Sequence, residues 1–232
     1  MTRSATLPIM APVPDAISLE TVRYAVIFLI ALILSTAFHE FGHALVADRL
    51  GDRMPRSQGR VTLNPMAHVD PFGTLLFPLI GIFLAGGVLF GWGRPVQVNP
   101  LSFTRKLRMK TGHLLVAIAG PTMNVALALL ASIVYVVVLR ATTSEHPAAE
   151  VALLIRLNFV LAALNLLPCP PLDGGAVLAG VLPDRYGHVI GFLQQYGFFI
   201  LLALLLTGAI NLFFAPVNAF SNSWMRMLRG MA

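Results

Sequence analysis

Charged residues are scarce in this sequence. They account for 11% of its 232 residues, whereas hydrophobic residues account for 57%, and the mean hydropathy is +0.79. An ordinary soluble domain would carry about 25% charged residues. The composition therefore excludes a typical soluble domain and predicts an integral membrane protein.

Glutamate and cysteine are scarce as well. Four residues are glutamates, and only one of them, Glu40, lies in an apolar setting. The single cysteine, Cys169, excludes an internal disulfide. Residues 1–22 contain no apolar core of the kind that defines a cleavable signal peptide, so we expect the first span to be an uncleaved anchor.

The net charge of +6 arises mainly in two loops, residues 48–70 and 91–112. Basic residues in short loops usually mark the cytoplasmic side of a membrane protein. No stretch interleaves aromatic and basic residues in the pattern of a nucleic-acid-binding surface. We therefore expect this charge to orient the chain in a lipid bilayer and expect no nucleic-acid partner.

Four apolar runs predict an all-α polytopic membrane protein, because about 20 residues suffice to cross the hydrocarbon layer. These runs are residues 24–47, 113–139, 151–167 and 189–214. We expect an N-terminal tail at 1–23 and a single membrane-embedded domain at 24–215. The remaining residues, 216–232, form a C-terminal tail with the character of an interfacial helix.

A fifth apolar stretch, residues 71–90, is interrupted by Pro78, Gly81 and Gly86-Gly87. If it crossed the membrane once, the two basic loops would lie on opposite sides, against the positive-inside rule. A segment that enters and returns keeps both loops on one side, and such broken backbone is tolerated where protein or a cavity covers it. We therefore favour a re-entrant segment over a single span.

Residues 59–63, within the first basic loop, have the composition of a short strand. Asn64-Pro65 follows them and is a turn signal. We therefore expect a small membrane-associated β-hairpin, whose edge could pair with an extended peptide. A packed turn without that role is the equally weighted alternative.

The clearest chemical motif is His39-Glu40-Phe41-Gly42-His43, which lies late in the first span. On a helix, residues i and i+4 share a face, so His39 and His43 can bind one metal ion with Glu40 beside it. Ionisable groups inside a bilayer are costly and usually functional. The spacing is that of a zinc hydrolase, and polar groups satisfied by packing alone are the less favoured alternative.

A catalytic zinc takes three protein ligands and leaves a fourth position for water. A longer zinc motif would place Gly and His where this chain has Val46 and Arg49, so the third ligand must come from elsewhere. The candidates are His68, Asp70, His113 and Asp173. We favour Asp173, a lone carboxylate that follows an apolar span and precedes two glycines. Capping of the following segment is the alternative role for Asp173.

Two asparagines in apolar spans, Asn124 and Asn165, are suited to donate hydrogen bonds to a developing oxyanion or to a substrate backbone. Packing between helices is an equally weighted alternative for both. His68 is a third candidate for stabilising an oxyanion, although we favour a role in ordering the re-entrant segment.

Three segments, in order and spacing, resemble the motifs of the site-2 protease family of intramembrane zinc metalloproteases. They are His39-Glu40-x-x-His43, Gly120-Pro121-x-x-Asn124 and Asn165-x-x-Pro168-x-x-Pro171-x-Asp173-Gly174. The resemblance covers about residues 24–190, and the segments at 64–74 and 91–96 are similar to a bacterial branch of the family.

The resemblance implies a function and a set of roles. It implies one zinc ion per chain with His39, His43 and Asp173 as ligands, Glu40 as the catalytic base, and a membrane-embedded strand before the second core span. The implied substrate is a transmembrane protein, and the implied location is a bacterial inner membrane with the active site near the cytoplasmic side. Several members of the family carry a PDZ or CBS domain, and this chain has room for neither.

Two other function classes use similar residues. A metal transporter also places His and Asp in the membrane, but its ligands should follow the whole depth of the bilayer, whereas the outer halves of these spans carry none. A non-proteolytic scaffold is the other class, and the intact His39, Glu40, His43 and Asp173 argue against it.

Overall fold

The computed structural model of the chain describes residues 18–84, 91–142 and 145–232. These ranges contain eight α-helices, namely α1 (Leu19–Arg49), α2 (Met54–Ser57), α3 (Phe77–Leu84), α4 (Met109–Ala141), α5 (Glu145–Asn165), α6 (Asp173–Val181), α7 (Gly187–Leu206) and α8 (Ile210–Gly230). Four of them, α1, α4, α5 and α7, are long and apolar enough to cross a membrane. The prediction of a mostly helical, multi-pass membrane protein is therefore confirmed.

Helix α4 packs along both α1 and α5, and these three helices form the centre of the protein. The approach of α1 to α4 is close because Gly42 carries no side chain. A Cβ atom at Gly42 would lie 2.6 Å from the carbonyl oxygen of Ala119. Small residues allow such close contact between membrane helices, and here they bring the two histidines of α1 against α4.

The fourth predicted span, residues 189–214, is wrong in its extent. Helix α7 ends at Leu206, and Gly208 then adopts a left-handed conformation with φ of 71° that interrupts the helix. Helix α8 begins at Ile210, before the predicted C-terminal tail at 216, and buries Phe214, Met225 and Leu228 in the hydrophobic core. This helix is therefore packed against α4 and α5 along much of its length.

Residues 71–84 form a helix that is too short to cross a membrane. It begins with a π-helical turn, Pro71–Leu76, and continues as α3. Asp70 caps its start, because Asp70 Oδ1 accepts hydrogen bonds from the backbone N–H groups of Phe72 and Gly73. The predicted Gly86-Gly87 break lies outside the described residues.

The chain after residue 90 lies beside the start of this short helix. The backbone N–H of Trp92 donates to the carbonyl oxygen of Gly73 at 3.2 Å, and Thr74 Oγ1 donates to the carbonyl oxygen of Trp92 at 2.8 Å. The chain at Trp92 therefore lies against the start of the 71–84 helix.

The two basic loops contact each other at one end of the helical bundle. The backbone N–H of Asn99 donates to Asp52 Oδ2, and the backbone N–H of Thr104 donates to the carbonyl oxygen of Leu50, both at 2.6 Å. The loops that precede and follow the short helix thus lie on the same side of the protein.

The predicted β-hairpin is not confirmed, because residues 18–84, 91–142 and 145–232 contain no β-strand. Residues 59–63 form a turn and bends instead. Gly59 has a φ of 68°, which turns the chain, and His68 Nε2 donates to the carbonyl oxygen of Thr62 at 2.9 Å. That carbonyl group is therefore engaged by a side chain and not by a neighbouring strand.

Candidate metal centre

Three potential metal ligands converge where α1, α4 and α6 meet. Helix α1 carries His39 and His43 on its α4-facing side, and α6 begins with Asp173. The two histidine Nε2 atoms are 3.0 Å apart, and Asp173 Oδ2 lies 3.1 Å from His39 Nε2 and 3.2 Å from His43 Nε2. Ligands of a tetrahedral zinc are about 2.0–2.2 Å from the metal and therefore about 3.3–3.5 Å from one another. The three atoms have nearly that spacing.

The other nitrogen of each histidine fixes which atom faces the cluster. His39 Nδ1 lies 2.6 Å from Asn124 Oδ1, and His43 Nδ1 lies 2.7 Å from the carbonyl oxygen of Val116. A carbonyl oxygen only accepts, so each Nδ1 carries a proton, and in the neutral imidazole that binds a metal each Nε2 then presents a lone pair. Two lone pairs and a carboxylate oxygen that face one another repel unless a cation lies between them. The donor set therefore fits a divalent metal such as zinc.

Asp173 supports the same conclusion. Its Oδ2 atom is buried and makes no hydrogen bond of normal geometry to any described residue. A buried acceptor without a hydrogen bond is costly, and a metal ion would satisfy it. The carboxylate lies in the first turn of α6, where a negative charge is also favoured by the helix dipole. The N-cap residue of α6 is Leu172 and not Asp173, so capping does not account for this carboxylate.

Close packing around the cluster depends on glycine. A Cβ atom at Gly120 would lie 2.4 Å from His43 Nε2 and 2.7 Å from His39 Cε1. A Cβ atom at Gly174 would lie 2.0 Å from the carbonyl oxygen of Leu167. All three distances are shorter than any allowed contact. Helix α4 can therefore support the histidine rings, and α6 can begin beside the end of α5, only without side chains at these positions.

Glu40 follows His39 and is half-buried beside the cluster. Its Oε2 atom accepts a hydrogen bond from the backbone N–H of Val96 at 2.9 Å. Arg60, buried in the first basic loop, is close enough for the charge of Glu40 to act on it. Burial lowers the pKa of the Arg60 guanidinium and Arg94 lowers it further, whereas Glu40 raises it. Glu40 thus accepts one backbone hydrogen bond and lies near the guanidinium of Arg60.

The cluster opens into a cavity of about 680 Å³. Residues from α1, α4, α5, α6 and α7 line it, together with the segment at 91–98. Asn165 lies on its wall, and its Nδ2 donates to the carbonyl oxygen of Leu161 at 3.0 Å. His113 also lies on the wall. The cavity has both apolar and polar walls and is large enough for several residues of an extended peptide.

Two predicted substrate-binding residues have other partners. Asn124 is fully buried, and its Nδ2 donates to the carbonyl oxygen of Ser35 at 3.2 Å and to Asn158 Oδ1 at 2.8 Å. Both amide protons are engaged, so Asn124 has none to donate to an oxyanion. His68 is also fully buried, does not line the cavity, and is bound through Nε2 to Thr62. These contacts favour the alternatives given for both residues, packing between helices for Asn124 and ordering of the loop for His68.

The remaining candidates for the third ligand are separate from the cluster. Among the described residues, one group could bind a metal ion, and it consists of His39, His43 and Asp173. The group does not include His68, Asp70 or His113. Two residues that contact the site, Val96 and Asn158, are not among those predicted from the sequence. Asn158 could have been found, because it is an amide in an apolar span two helical turns before Asn165. The backbone contact of Val96 has no sequence signal.

Comparison with known proteins gives consistent matches. The model of peptidase family M50 matches residues 27–150 and 138–208. The Bacillus subtilis protein named "Putative zinc metalloprotease YwhC" is 40% identical over 185 residues, which are 77% of this chain and 79% of the relative. The Mycolicibacterium smegmatis protein named "Putative zinc metalloprotease Rip2" is 31% identical over 210 residues, which are 85% of this chain and 76% of the relative. No solved structure matches the chain.

Proposed function

Because this chain belongs to peptidase family M50, we propose that it is an intramembrane zinc endopeptidase. Its substrates are membrane proteins, cut within or near their transmembrane segments. One observation carries the proposal: His39, His43 and Asp173 converge beside Glu40 where the start of α6 meets α1, a helix long and apolar enough to cross a membrane. His39, His43 and Asp173 are the zinc ligands in this proposal.

Glu40 is the catalytic base. A zinc ion bound by the three ligands supplies the acidification of water and the polarisation of the scissile carbonyl. Glu40 takes a proton from the attacking water and passes it to the amine that leaves when the peptide C–N bond breaks. Its hydrogen bond from Val96 holds one carboxylate oxygen in place, which leaves the other for the proton transfer.

The segment at 91–98 is the surface on which an unwound substrate lies. It has no regular secondary structure among the described residues, runs along the cavity, and contacts Glu40 through Val96. Extended backbone of this kind can pair with an extended peptide. Asn165 also lines the cavity, and its amide has a second proton that can be donated to the substrate backbone or the developing oxyanion.

The active site faces the cytoplasm, and residues 71–90 are re-entrant. Two contacts support the re-entrant arrangement: Trp92 is bound to Gly73, and the two basic loops are bound to each other. Loops rich in Lys and Arg favour the cytoplasmic side, and the metal cluster is near that end of α1. A bacterial inner membrane is the proposed location.

The test compares protein termini in membranes that contain either the wild type or the Glu40→Gln variant. We expect new termini within transmembrane segments of single-span proteins in the wild-type membranes and none in the variant, which should still bind zinc. The zinc content of both purified proteins is the control. Cleavage by Glu40→Gln at the wild-type rate would contradict the role of Glu40. Wild-type membranes without any such termini would contradict the proteolytic function.

A further inference from the structure

Two fully buried asparagines form a chain of hydrogen bonds that ends at a metal ligand. Asn158 of α5 accepts from Asn124 of α4 at 2.8 Å, and Asn124 Oδ1 lies 2.6 Å from His39 Nδ1. Asn158 does not line the cavity, so it has no route to substrate. Its amide is nevertheless connected to the metal cluster through one other side chain.

Backbone carbonyl groups determine which way the amide of Asn158 points. Its Nδ2 lies 2.9 Å from the carbonyl oxygen of Leu154, which can only accept. The same Nδ2 lies 2.8 Å from Ser35 Oγ, whose own proton is donated to the carbonyl oxygen of Ala31 at 2.6 Å. The nitrogen must therefore face these two acceptors. The oxygen of the Asn158 amide is left facing Asn124.

The same reasoning fixes Asn124. Its Nδ2 faces two acceptors, the carbonyl oxygen of Ser35 and Asn158 Oδ1. The amide oxygen must then face His39 Nδ1, which in turn must carry a proton. In the neutral ring, a proton on Nδ1 leaves the lone pair on Nε2, the atom that faces the cluster. The backbone of α1 and α5 therefore sets the tautomer of His39 through two side chains.

We propose that Asn158 is a positioning residue for the metal centre. Together with Ser35 it orients the amide of Asn124, and Asn124 in turn holds the ring and the tautomer of His39. The proposal rests on the zinc site of the proposed function. His43 differs from His39, because its Nδ1 is held directly by the backbone carbonyl of Val116 and needs no side chain.

The partners that orient metal-binding histidines typically contribute 10- to 100-fold to metal affinity. We expect Asn124→Leu to weaken zinc binding by about that range and Asn158→Leu by roughly 10-fold, the lower end of it. Asn158 acts through Asn124, so the double variant should bind zinc no more weakly than Asn124→Leu alone. Asn158→Asp is isosteric and, as an uncharged acid in an apolar interior, keeps an acceptor towards Asn124. We therefore expect it to restore most of the affinity.

The experiment measures zinc affinity of the metal-free protein in detergent by competition with a chromophoric chelator, alongside thermal unfolding of each metal-free variant. Ser132→Ala is the matched control, since Ser132 is a buried polar residue of α4 that binds Trp224 instead of the metal site. It should bind zinc as the wild type does.

Three outcomes would overturn the proposal. One is wild-type zinc affinity in Asn158→Leu. A second is a loss of zinc-binding free energy in the double variant that equals the sum of the losses in the two single variants. The third applies if Asn158→Leu does not fold. In that case, the proposal is overturned if Asn158→Asp binds zinc no more tightly than Asn124→Leu does. A wild-type protein that binds no zinc would instead contradict the proposed function itself.

Discussion

Gly120 is the residue at which the smallest chemical change has the largest expected effect on the metal centre. It lies on α4 directly against the rings of His39 and His43, where a Cβ atom would overlap both. The flexible end of a side chain could move away, but imidazole rings held through Nδ1 by Asn124 and Val116 have little freedom. Contact with His39 and His43 thus explains why the Gly120-Pro121-x-x-Asn124 motif begins with glycine.

We expect Gly120→Ala to lose most of its bound zinc while remaining folded in the membrane. The reason is steric, since one methyl group must displace at least one histidine ring. Gly191→Ala is the matched control, because no described atom lies within 4 Å of a Cβ at that helical position. Zinc per chain, measured by elemental mass spectrometry, should be unchanged in the control. A full zinc content in Gly120→Ala would show that the rings are not held as described.

For single residues, the sequence predicted the metal ligands better than the residues that orient them. Asp173 could be selected because carboxylates in apolar settings are so few. The sequence leaves Asn124 equally suited to hydrogen bonding with substrate and to packing between helices, and it does not say that the amide accepts from a histidine. That choice depends on Ser35 and Asn158, which come from two other helices.

The short helix at 71–84 helps to position the segment at 91–98, which lines the cavity. Trp92 lies against this helix, where its ring is 5.2 Å from that of Phe77, centroid to centroid, and where a Cβ atom at Gly73 would come within 2.5 Å of it. Four residues later, Val96 binds Glu40. The position of the cavity wall therefore depends on how Trp92 packs against the short helix.

We expect Gly73→Ala to retain zinc and to reduce Glu40-dependent cleavage by roughly 10- to 100-fold, the effect of a misplacement of about 1 Å. Trp92 must move to admit the methyl group, and the segment at 91–98 moves with it. Gly187→Ala, where no described atom lies within 4 Å of the added Cβ, is the control. Wild-type cleavage by Gly73→Ala would contradict a role for this packing, and loss of zinc would indicate damage to the ligands instead.

Long elements were predictable and irregular ones were not. Helices α1, α4 and α5 could be predicted from their length and apolar composition, because a membrane span needs a continuous run of apolar residues. The end of α7 at Leu206 depends on a left-handed Gly208, and an isolated glycine within an apolar run does not predict that conformation. Residues 59–63 have strand composition but adopt a turn, since the side chains of the loop engage their backbone.

On the scale of the whole molecule, the account requires both basic loops to lie on one side of the membrane. Single cysteines at Ser57 and Lys106, in a Cys169→Ala background, should react with a membrane-impermeant thiol reagent from the cytoplasmic side. A cysteine at Ala149, in the exposed first turns of α5, should react only from the other side. Labelling of Ser57→Cys and Lys106→Cys from opposite sides would contradict the re-entrant segment.

The central claim is that His39, His43 and Asp173 bind one zinc ion. The most direct test is the zinc content of detergent-purified protein, with the wild type, Asp173→Ala and His39→Ala compared by elemental mass spectrometry. It requires no knowledge of the substrate. We predict one zinc per chain in the wild type and its loss in both variants, because two remaining ligands bind the metal too weakly to survive purification. Zinc that remains in Asp173→Ala at the wild-type level would contradict the account.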